Sequence, residues 1–494
     1  MLRTIMHSYF QTTLTPMMLK NIMLRLTMPL LLCIALTSKA ELPALGDPTQ
    51  QELSPLDESL MGKNFYLTLQ ANLPFINDLE VNSYINSLGK KLISHSDNPD
   101  KKFRFFVLDI NNINAFAGPD AYLGFNSGLI IAAKNESEFA GVMAHEISHV
   151  TQRHLARAMT DSNTSPAAMF ATILAGILVA SQNPQAGAAI IYGGQAAAMQ
   201  SQINFTRANE YEADRIGINI LKNAGINPLG TANFFETLLQ NSDSHSFISN
   251  IEYLRTHPLG TTRVAEARNR ISREDTELPN DSLDYQLMRA RVLVITNRTP
   301  NKLIQQILAL DKLNRDTVTD YTLGLAYIAN NQSSKAITLL EKLTQSNTHL
   351  WIQLALADAY LEQNQTNNTL NILQQLNAIY PNYPPISIRL ARSLTDNKQP
   401  IKAIELLTQQ LRTHKLAKIY STLAKSYFAN DQITLALEAT SFEYEIEGHL
   451  KQAAQQINNA LQQPKLNTLT IQRLESRRKD LISQMKKEAN THGK

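Results

Sequence analysis

The amino-acid sequence predicts an α+β domain, mostly helical with a small sheet, over residues 41–280, followed by an all-α solenoid of helical repeats over residues 281–494. Two observations support this division. Strand-like alternation of apolar side chains occurs before residue 280, and a pattern that repeats every 33 or 34 residues occurs after it. The length of 494 residues allows two or three domains, which excludes a single small binding module.

The charge of the chain is nearly balanced, with 46 basic and 43 acidic residues. Proteins that bind nucleic acid normally have a strong basic excess, so we expect no nucleic-acid partner. Hydrophobic residues make up 43% and charged residues 18% of the chain, which is typical of a globular protein.

Residues 1–40 have the features of an export signal. A basic segment that includes Lys20 precedes an apolar run at residues 26–36, and small residues precede a cleavage site after Ala40. We expect this segment to be removed, although an uncleaved membrane anchor has a similar pattern. The one cysteine, Cys33, lies within the segment, so the mature chain would have neither a disulfide bond nor a thiolate metal site.

The rest of the first domain contains two strand-like stretches, residues 103–108 and 122–131. It also contains an uncharged stretch, residues 162–206, whose most apolar part, residues 167–180, is too short to span a membrane as a helix. This part would form either a buried hairpin that turns at Asn183-Pro184 or a mobile apolar flap that touches a membrane near the functional site.

One motif in the first domain indicates specific chemistry, the HExxH pattern at residues 145–149. Asn135 is a suitable helix cap and predicts a helix through the motif. On that helix His145 and His149 lie one turn apart on the same face, so both imidazoles can bind one metal ion. Glu146 is adjacent and can act as a general base toward a water molecule. The pattern alone is also compatible with two histidines of the core.

A second acidic motif, RANEYEAD at residues 207–214, offers a third metal ligand. Glu210 and Asp214 are four residues apart and share one face of a helix that continues to Gly225. Glu210 can bind the metal, while Asp214 can accept a hydrogen bond from the far nitrogen of a ligand histidine. Glu212 is the competing ligand and points about 200° away around the helix.

The second domain contains a repeat built from large and small residues. A small residue stands three positions before each large one, and Ala or Thr stands nine positions after it. The large residues are Tyr327, Tyr360, Leu394 and Tyr427. This spacing resembles the tetratricopeptide (TPR) repeat, in which small residues let paired helices approach closely. Thr369 departs from the expected alanine, and residues 287–308 form at most a degenerate first repeat.

Together, HEISH and the NEYEAD that follows about 60 residues later resemble the gluzincin peptidase family that includes Ste24, Oma1 and HtpX. NAFA at residues 114–117, Thr256-His257-Pro258 and Arg263 extend the similarity. An export signal in front and TPR repeats behind resemble the periplasmic members of the family. Residues 118–121 (GPDA) depart from the family's usual Pro-Gly-Gly turn.

The resemblance implies a zincin-like metalloprotease fold for the first domain and one Zn²⁺ ion per chain. It implies that His145, His149 and Glu210 bind the zinc, which favours Glu210 over Glu212. Glu146 would then be the catalytic base. Asp214 would be the second catalytic residue, which acts by accepting a hydrogen bond from a ligand histidine.

The resemblance also implies a regulatory role for His257. A histidine before proline in a loop usually has no function, but in the related proteins such a histidine lies over the zinc. As a fourth ligand, His257 would occupy the position of the attacking water and keep the enzyme latent. Arg263 would either help to polarise the substrate carbonyl or hold the loop that contains His257.

As a function, the resemblance implies a periplasmic zinc metalloendopeptidase whose substrates are unfolded or misassembled outer-membrane β-barrel proteins. The TPR domain would bind the barrel-assembly machinery, and peripheral contact with a membrane stays open. We expect a substrate to pair as a strand along a sheet edge near residues 125–130. The alternative is a TPR chaperone or scaffold in which proteolysis is minor. An integral membrane protease would need longer apolar spans.

Overall fold

The computed structural model describes residues 54–160, 166–181, 196–242, 253–310 and 315–492. Residues Pro55–Lys494 form one compact unit. The expected export signal and the expected turn at Asn183-Pro184 lie outside the described residues.

The first part of the unit is mostly helical and surrounds a small sheet, which confirms the predicted fold class. Its helices are α1 (Pro55–Asn72), α2 (Leu79–Ile93), α3 (Ser127–Ala132), α4 (Glu136–Thr151), α5 (His154–Thr160), α6 (Pro166–Ala180), α7 (Ala196–Asn223), α8 (Leu229–Ser242), α9 (Tyr253–Thr256) and α10 (Thr261–Asn269).

The sheet has three strands in the order β1-β3-β2. Strand β3 (Tyr122–Asn126) is central, because it pairs in parallel with β1 (Arg104–Leu108) and antiparallel with β2 (Ala115–Ala117). The expectation of a substrate-binding edge near residues 125–130 is therefore wrong. Both sides of β3 are already paired, and the chain after Asn126 turns into helix α3. The edge strand that packs beside α4 is β2.

Helix α4 forms as predicted and lies in the core. The side chain of Asn135 accepts a hydrogen bond from the backbone N–H of Glu138 at 3.1 Å, which caps the helix. The Glu138 carboxylate accepts from the N–H of Lys134 at 2.8 Å. Helices α7 and α8 pack against α4, and the approach of α8 is close because a Cβ at Gly230 would lie 2.2 Å from backbone atoms of Ser137.

Helix α6 contains the most apolar segment of the first part. Leu174, Ile177 and Leu178 pack against the cluster that includes Phe65, whereas residues 171–172 are exposed. The helix is therefore only partly covered by the described chain. Within the described ranges, no helix combines the length and the apolar character that crossing a membrane requires.

The second part consists of antiparallel helix pairs, as the repeat predicts. After α11 (Leu283–Thr296) and α12 (Pro300–Leu308), the pairs are α13 (Thr317–Ala329) with α14 (Ser333–Ser346), α15 (Leu350–Glu362) with α16 (Thr366–Ile379), α17 (Pro384–Asp396) with α18 (Pro400–Gln410), and α19 (Ala417–Ala429) with α20 (Ile433–Ile446). Helices α21 (Leu450–Leu461) and α22 (Thr468–His492) close the array.

Each of these four pairs turns through a residue with positive φ, four positions after the large residue of the repeat. These residues are Asn331, Asn364, Lys398 and Asp431, with φ of 55° or 56°. Thr369 replaces the usual alanine without leaving its hydroxyl unpaired, because that hydroxyl lies 3.4 Å from the carbonyl oxygen of Ala357. The threonine is therefore compatible with a close helix pair at this position.

A buried ion network joins the two parts of the unit. Arg291 lies 2.8 Å from a carboxylate oxygen of Asp78 and 3.4 Å from one of Glu80. Arg389, from a repeat helix, lies 2.8 Å from the other Glu80 oxygen and 2.7 Å from Asp358. Because Glu80 is only 1% exposed, these ion pairs fix the TPR helices to helix α2 of the first part.

Candidate metal centre

Helices α4 and α7 and the loop after α9 bring four side chains together. One ligand atom from each of His145, His149, Glu210 and His257 lies within 4.8 Å of all the others, an arrangement that could hold a metal ion. His145, Glu210 and His257 are buried, and His149 is half-buried. These are the four residues expected from the motifs together with the family resemblance, and they are separated by up to 112 positions.

The distances within this cluster fit a tetrahedral zinc ion. Zinc binds imidazole nitrogens at about 2.0–2.1 Å, which places neighbouring ligand atoms about 3.3 Å apart. The Nε2 atom of His145 lies 3.0 Å from Nε2 of His149 and 3.3 Å from Nδ1 of His257. Carboxylate oxygens of Glu210 lie 3.4 Å from both Nε2 atoms and 3.0 Å from Nδ1 of His257. A donor set of imidazoles and a carboxylate is the set that catalytic zinc prefers.

The protonation states of two of these groups also suit a metal. Burial lowers the pKa of His149 to about 3, so its ring is neutral and keeps a lone pair. Burial opposes the negative charge of Glu210, but His257 and hydrogen bonds with the other two histidines hold its pKa well below the usual value. Glu210 is therefore a carboxylate at neutral pH.

Helix α7 places its carboxylates by crossing α4 closely at Gly217. A Cβ there would lie 3.2 Å from the backbone nitrogen of His145. One turn away, Asp214 Oδ1 lies 2.9 Å from Nδ1 of His145, the contact that the sequence predicts for Asp214. Burial opposes the charge of Asp214, but hydrogen bonds from His145 and Arg263 lower its pKa below the ordinary value. This leaves Nε2 of His145 free to face the cluster.

Arg263 is buried behind the cluster and contacts three polar groups. Its Nε and Nη2 atoms donate to the two oxygens of Asp214 at 2.7 and 2.8 Å. Its Nη1 lies 2.9 Å from Glu210 Oε2 and donates to the carbonyl of Pro258 at 2.9 Å. Of the two roles considered from the sequence, these contacts correspond to holding the His257 loop.

The far nitrogen of His149 contacts a residue that the sequence reasoning missed, His154. The two Nδ1 atoms are 2.7 Å apart, and Nε2 of His154 lies 3.0 Å from Glu212 Oε2. Arg157 donates to the same oxygen at 2.8 Å. Glu212, the alternative to Glu210 as a ligand, therefore lies beside His154 and outside the four-residue cluster.

Glu146 is buried at 1% exposure beside the cluster. Its Oε1 lies 3.4 Å from Nε2 of His257, whose Nδ1 faces the metal ligands. Burial raises the pKa of Glu146 above its ordinary value, which is the direction expected for a carboxylate that acts as a general base. His257 thus lies between the expected metal ligands and the expected base.

The segment before His257 is tied to the strand region. The Tyr253 ring stacks on His257, with the ring centres 4.6 Å apart, and the Tyr253 amide donates to the carbonyl of Ile113 at 3.0 Å. Ile113 lies two residues before the start of β2. The loop that positions His257 is therefore fixed next to the sheet edge.

The site is that of a metalloendopeptidase: it combines a histidine pair on one helix, a carboxylate from a crossing helix and an adjacent buried glutamate. The family model of "Peptidase family M48" matches residues 80–271. A "Tetratricopeptide repeat" model matches residues 352–383. Membership of M48 implies a bound metal ion.

Within M48, the chain belongs to the beta-barrel assembly-enhancing proteases. It is 34% identical to the "Beta-barrel assembly-enhancing protease" of Escherichia coli (strain K12) over 441 residues, which cover 88% of this chain and 90% of that protein. The "Putative beta-barrel assembly-enhancing protease" of Vibrio cholerae is 35% identical over 66% of this chain and 68% of that protein. The "Mitochondrial metalloendopeptidase OMA1" of Arabidopsis thaliana is 29% identical over 32% of this chain and 30% of that protein. The resemblance stated from the motifs is thereby confirmed.

Proposed function

We propose that the chain is a periplasmic zinc-dependent metalloendopeptidase that degrades misassembled β-barrel outer-membrane proteins and assists their assembly. The supporting observation is the four-residue cluster with Glu146 beside it, in a chain that shares 34% identity with a beta-barrel assembly-enhancing protease. The periplasmic location rests on the export-signal features of residues 1–40.

In this proposal His145, His149 and Glu210 hold one zinc ion per chain. A bound zinc ion would supply Lewis acidity, which polarises the scissile carbonyl and makes a water molecule more acidic. Asp214 accepts the Nδ1–H hydrogen bond of His145 and so presents Nε2 to the metal. Arg263 balances the negative charge of Glu210 and Asp214 in the buried site.

Glu146 is the general base. Its carboxylate takes a proton from the attacking water and returns it to the leaving amine as the peptide bond breaks. Burial raises the pKa of Glu146, which favours its uptake of the proton from water. The buried setting also strengthens the electrostatic interactions between Glu146 and the reacting atoms.

Strand β2 is the proposed site of substrate pairing. It is the edge of the sheet next to α4, so an extended peptide that adds to it would pass close to Glu146. Backbone pairing is independent of side-chain identity and suits a protease that acts on unfolded barrel strands.

His257 is proposed to be a regulatory fourth ligand. Its Nδ1 lies 3.0 Å from Glu210 and its Nε2 lies 3.4 Å from Glu146, so it occupies the space between the ligands and the base. In this position it excludes the attacking water and keeps the enzyme latent. Movement of the loop away from the sheet edge would open both the water position and β2.

The proposed partners follow from the relatives and the repeats. Unfolded or misassembled outer-membrane proteins are the substrates, and the TPR domain binds the outer-membrane barrel-assembly machinery. No nucleic acid is expected, because the charge is balanced. The partly covered helix α6 is a candidate for peripheral contact with a membrane.

The competing hypothesis is a TPR scaffold in which proteolysis is minor, and Glu146→Gln separates the two. This variant keeps the shape and the metal ligands but loses the base, so cleavage of an unfolded β-barrel protein should fall about 10²- to 10⁴-fold. Glu405→Gln, an exposed carboxyl on α18, is the matched control and should cleave normally. If Glu146→Gln restores barrel assembly in cells that lack the protein as well as the parent chain does, the scaffold hypothesis is correct.

A further inference from the structure

The two histidines of the HExxH motif are held in different ways at their far nitrogens. Nδ1 of His145 faces the carboxylate of Asp214 directly, at 2.9 Å. Nδ1 of His149 faces a second imidazole, that of His154, at 2.7 Å. His154 lies outside the HExxH motif and is not one of the four clustered side chains.

His149, His154 and Glu212 form a chain of hydrogen bonds. When Nε2 of His149 binds a metal, only one placement of the ring protons satisfies this chain. Nδ1 of a metal-binding imidazole then holds the ring proton and donates it. Nδ1 of His154 must therefore be the acceptor, which places the proton of His154 on Nε2. That atom lies 3.0 Å from Glu212 Oε2 and donates to it, and Arg157 donates to the same oxygen.

The backbone places His154 for this contact. Arg153 has a positive φ of 53°, which ends the run of helix α4 and turns the chain back toward His149. His154 is 5% exposed, so its ring is enclosed between α4 and α7. Because Glu212 comes from α7, the contact also joins the two helices that supply the zinc ligands.

We propose that His154, oriented by Glu212, is a positioning residue that fixes the tautomer and ring orientation of His149 and thereby determines how tightly zinc is held. This inference rests on the proposed zinc site. It also assigns the second acidic residue of the NEYEAD motif a function other than metal binding.

A pair of isosteric substitutions separates the two ends of the His154 ring. The side-chain carbonyl of asparagine can occupy the place of Nδ1, so His154→Asn keeps the acceptor that faces His149. The amide of glutamine extends to the place of Nε2, so His154→Gln keeps the contact with Glu212 and loses the acceptor. Both replacements are polar and neutral, so a purely structural role would be affected similarly by either.

The experiment measures the zinc dissociation constant of the full chain by competition with a chelator of known affinity. Partners of ligand histidines typically contribute 10- to 100-fold in metal affinity. We expect His154→Gln to weaken zinc binding by about 10- to 100-fold and His154→Asn by no more than about 3-fold. His95→Asn and His95→Gln, at an exposed histidine after α2, should leave the constant unchanged.

Equal zinc affinities for His154→Asn and His154→Gln would overturn the positioning role, whether both match the parent or both fall. The thermal unfolding of the metal-free variants should agree within a few degrees, because the proposal concerns the metal and not the fold. Absence of zinc binding in the parent chain would instead overturn the proposed function on which the inference rests.

Discussion

Arg263 and Asp214 form a two-point ion pair behind the candidate metal centre, with Nε and Nη2 of the arginine donating to separate carboxylate oxygens. The same guanidinium contacts Glu210 and the carbonyl of Pro258. One buried cation therefore connects a proposed ligand, the residue that orients His145, and the loop that contains His257. The position of the loop and the geometry of the ligands are physically coupled through this side chain.

Removal of the His257 imidazole should activate the enzyme. In His257→Ala the three proposed zinc ligands remain, and the space between them and Glu146 becomes accessible to water. If the arrangement with His257 over the site is favoured by about 1.4 kcal/mol, the cleavage rate is lowered tenfold. Removal of the imidazole should therefore increase the cleavage rate on the order of tenfold. The measurement is the initial rate on an unfolded β-barrel protein with zinc content determined in parallel, and His95→Ala is the control. Unchanged or lower cleavage by a zinc-loaded His257→Ala would show that His257 does not enforce latency.

The ion network between the two parts of the unit should make a large contribution to stability. Arg291→Met leaves the buried carboxylate of Glu80 with one cationic partner fewer, and breaking a buried ion pair typically costs about 3–5 kcal/mol. Denaturant unfolding should therefore show a loss of that size. Arg268→Met removes a cation from an exposed pair with Glu236 and should cost less than about 1 kcal/mol. Similar small losses for both variants would mean that the network does not stabilise the junction.

The close approach of helix α8 to helix α4 should be sensitive to a single methyl group. A Cβ at Gly230 would lie 2.2 Å from the backbone of Ser137, so Gly230→Ala must displace α8 from α4, at a cost of about 1–3 kcal/mol or more. At Gly260 the nearest atom would be 3.5 Å away, and Gly260→Ala should cost less than about 1 kcal/mol, because it only replaces the glycine cap of α10. Equal stability of the two variants would contradict this packing.

Sequence reasoning succeeded where local rules determine the structure. The cap at Asn135 predicts the start of α4, and one helical turn between His145 and His149 places both imidazoles on one face whatever surrounds them. The TPR helices were predicted for a similar reason, since every repeat meets the same neighbours and the small residues mark the close contacts. The family resemblance then selected Glu210, and the structure places it in the cluster.

Sequence reasoning failed where partners are distant along the chain. Alternation marks β3 as a strand but does not reveal its neighbours, and this last strand in the sequence inserts between the first two. The role of His154 depends on the left-handed turn at Arg153 and on Glu212, which lies 58 positions away. The sequence does contain a signal for this role. His154 is a third histidine, five residues after His149, and Glu212 is a nearby motif carboxylate that is not required as a zinc ligand.

Zinc content tests the central claim most directly. Elemental analysis of the mature chain, purified without a chelator, should give about one zinc ion per chain. Glu210→Ala should lose most of that zinc, because it removes the third ligand. Glu266→Ala, at a half-exposed side chain of α10 that pairs with Arg270, should retain it. A well-folded parent chain without zinc, or a Glu210→Ala variant that holds zinc as tightly as the parent, would contradict the metallopeptidase site described above.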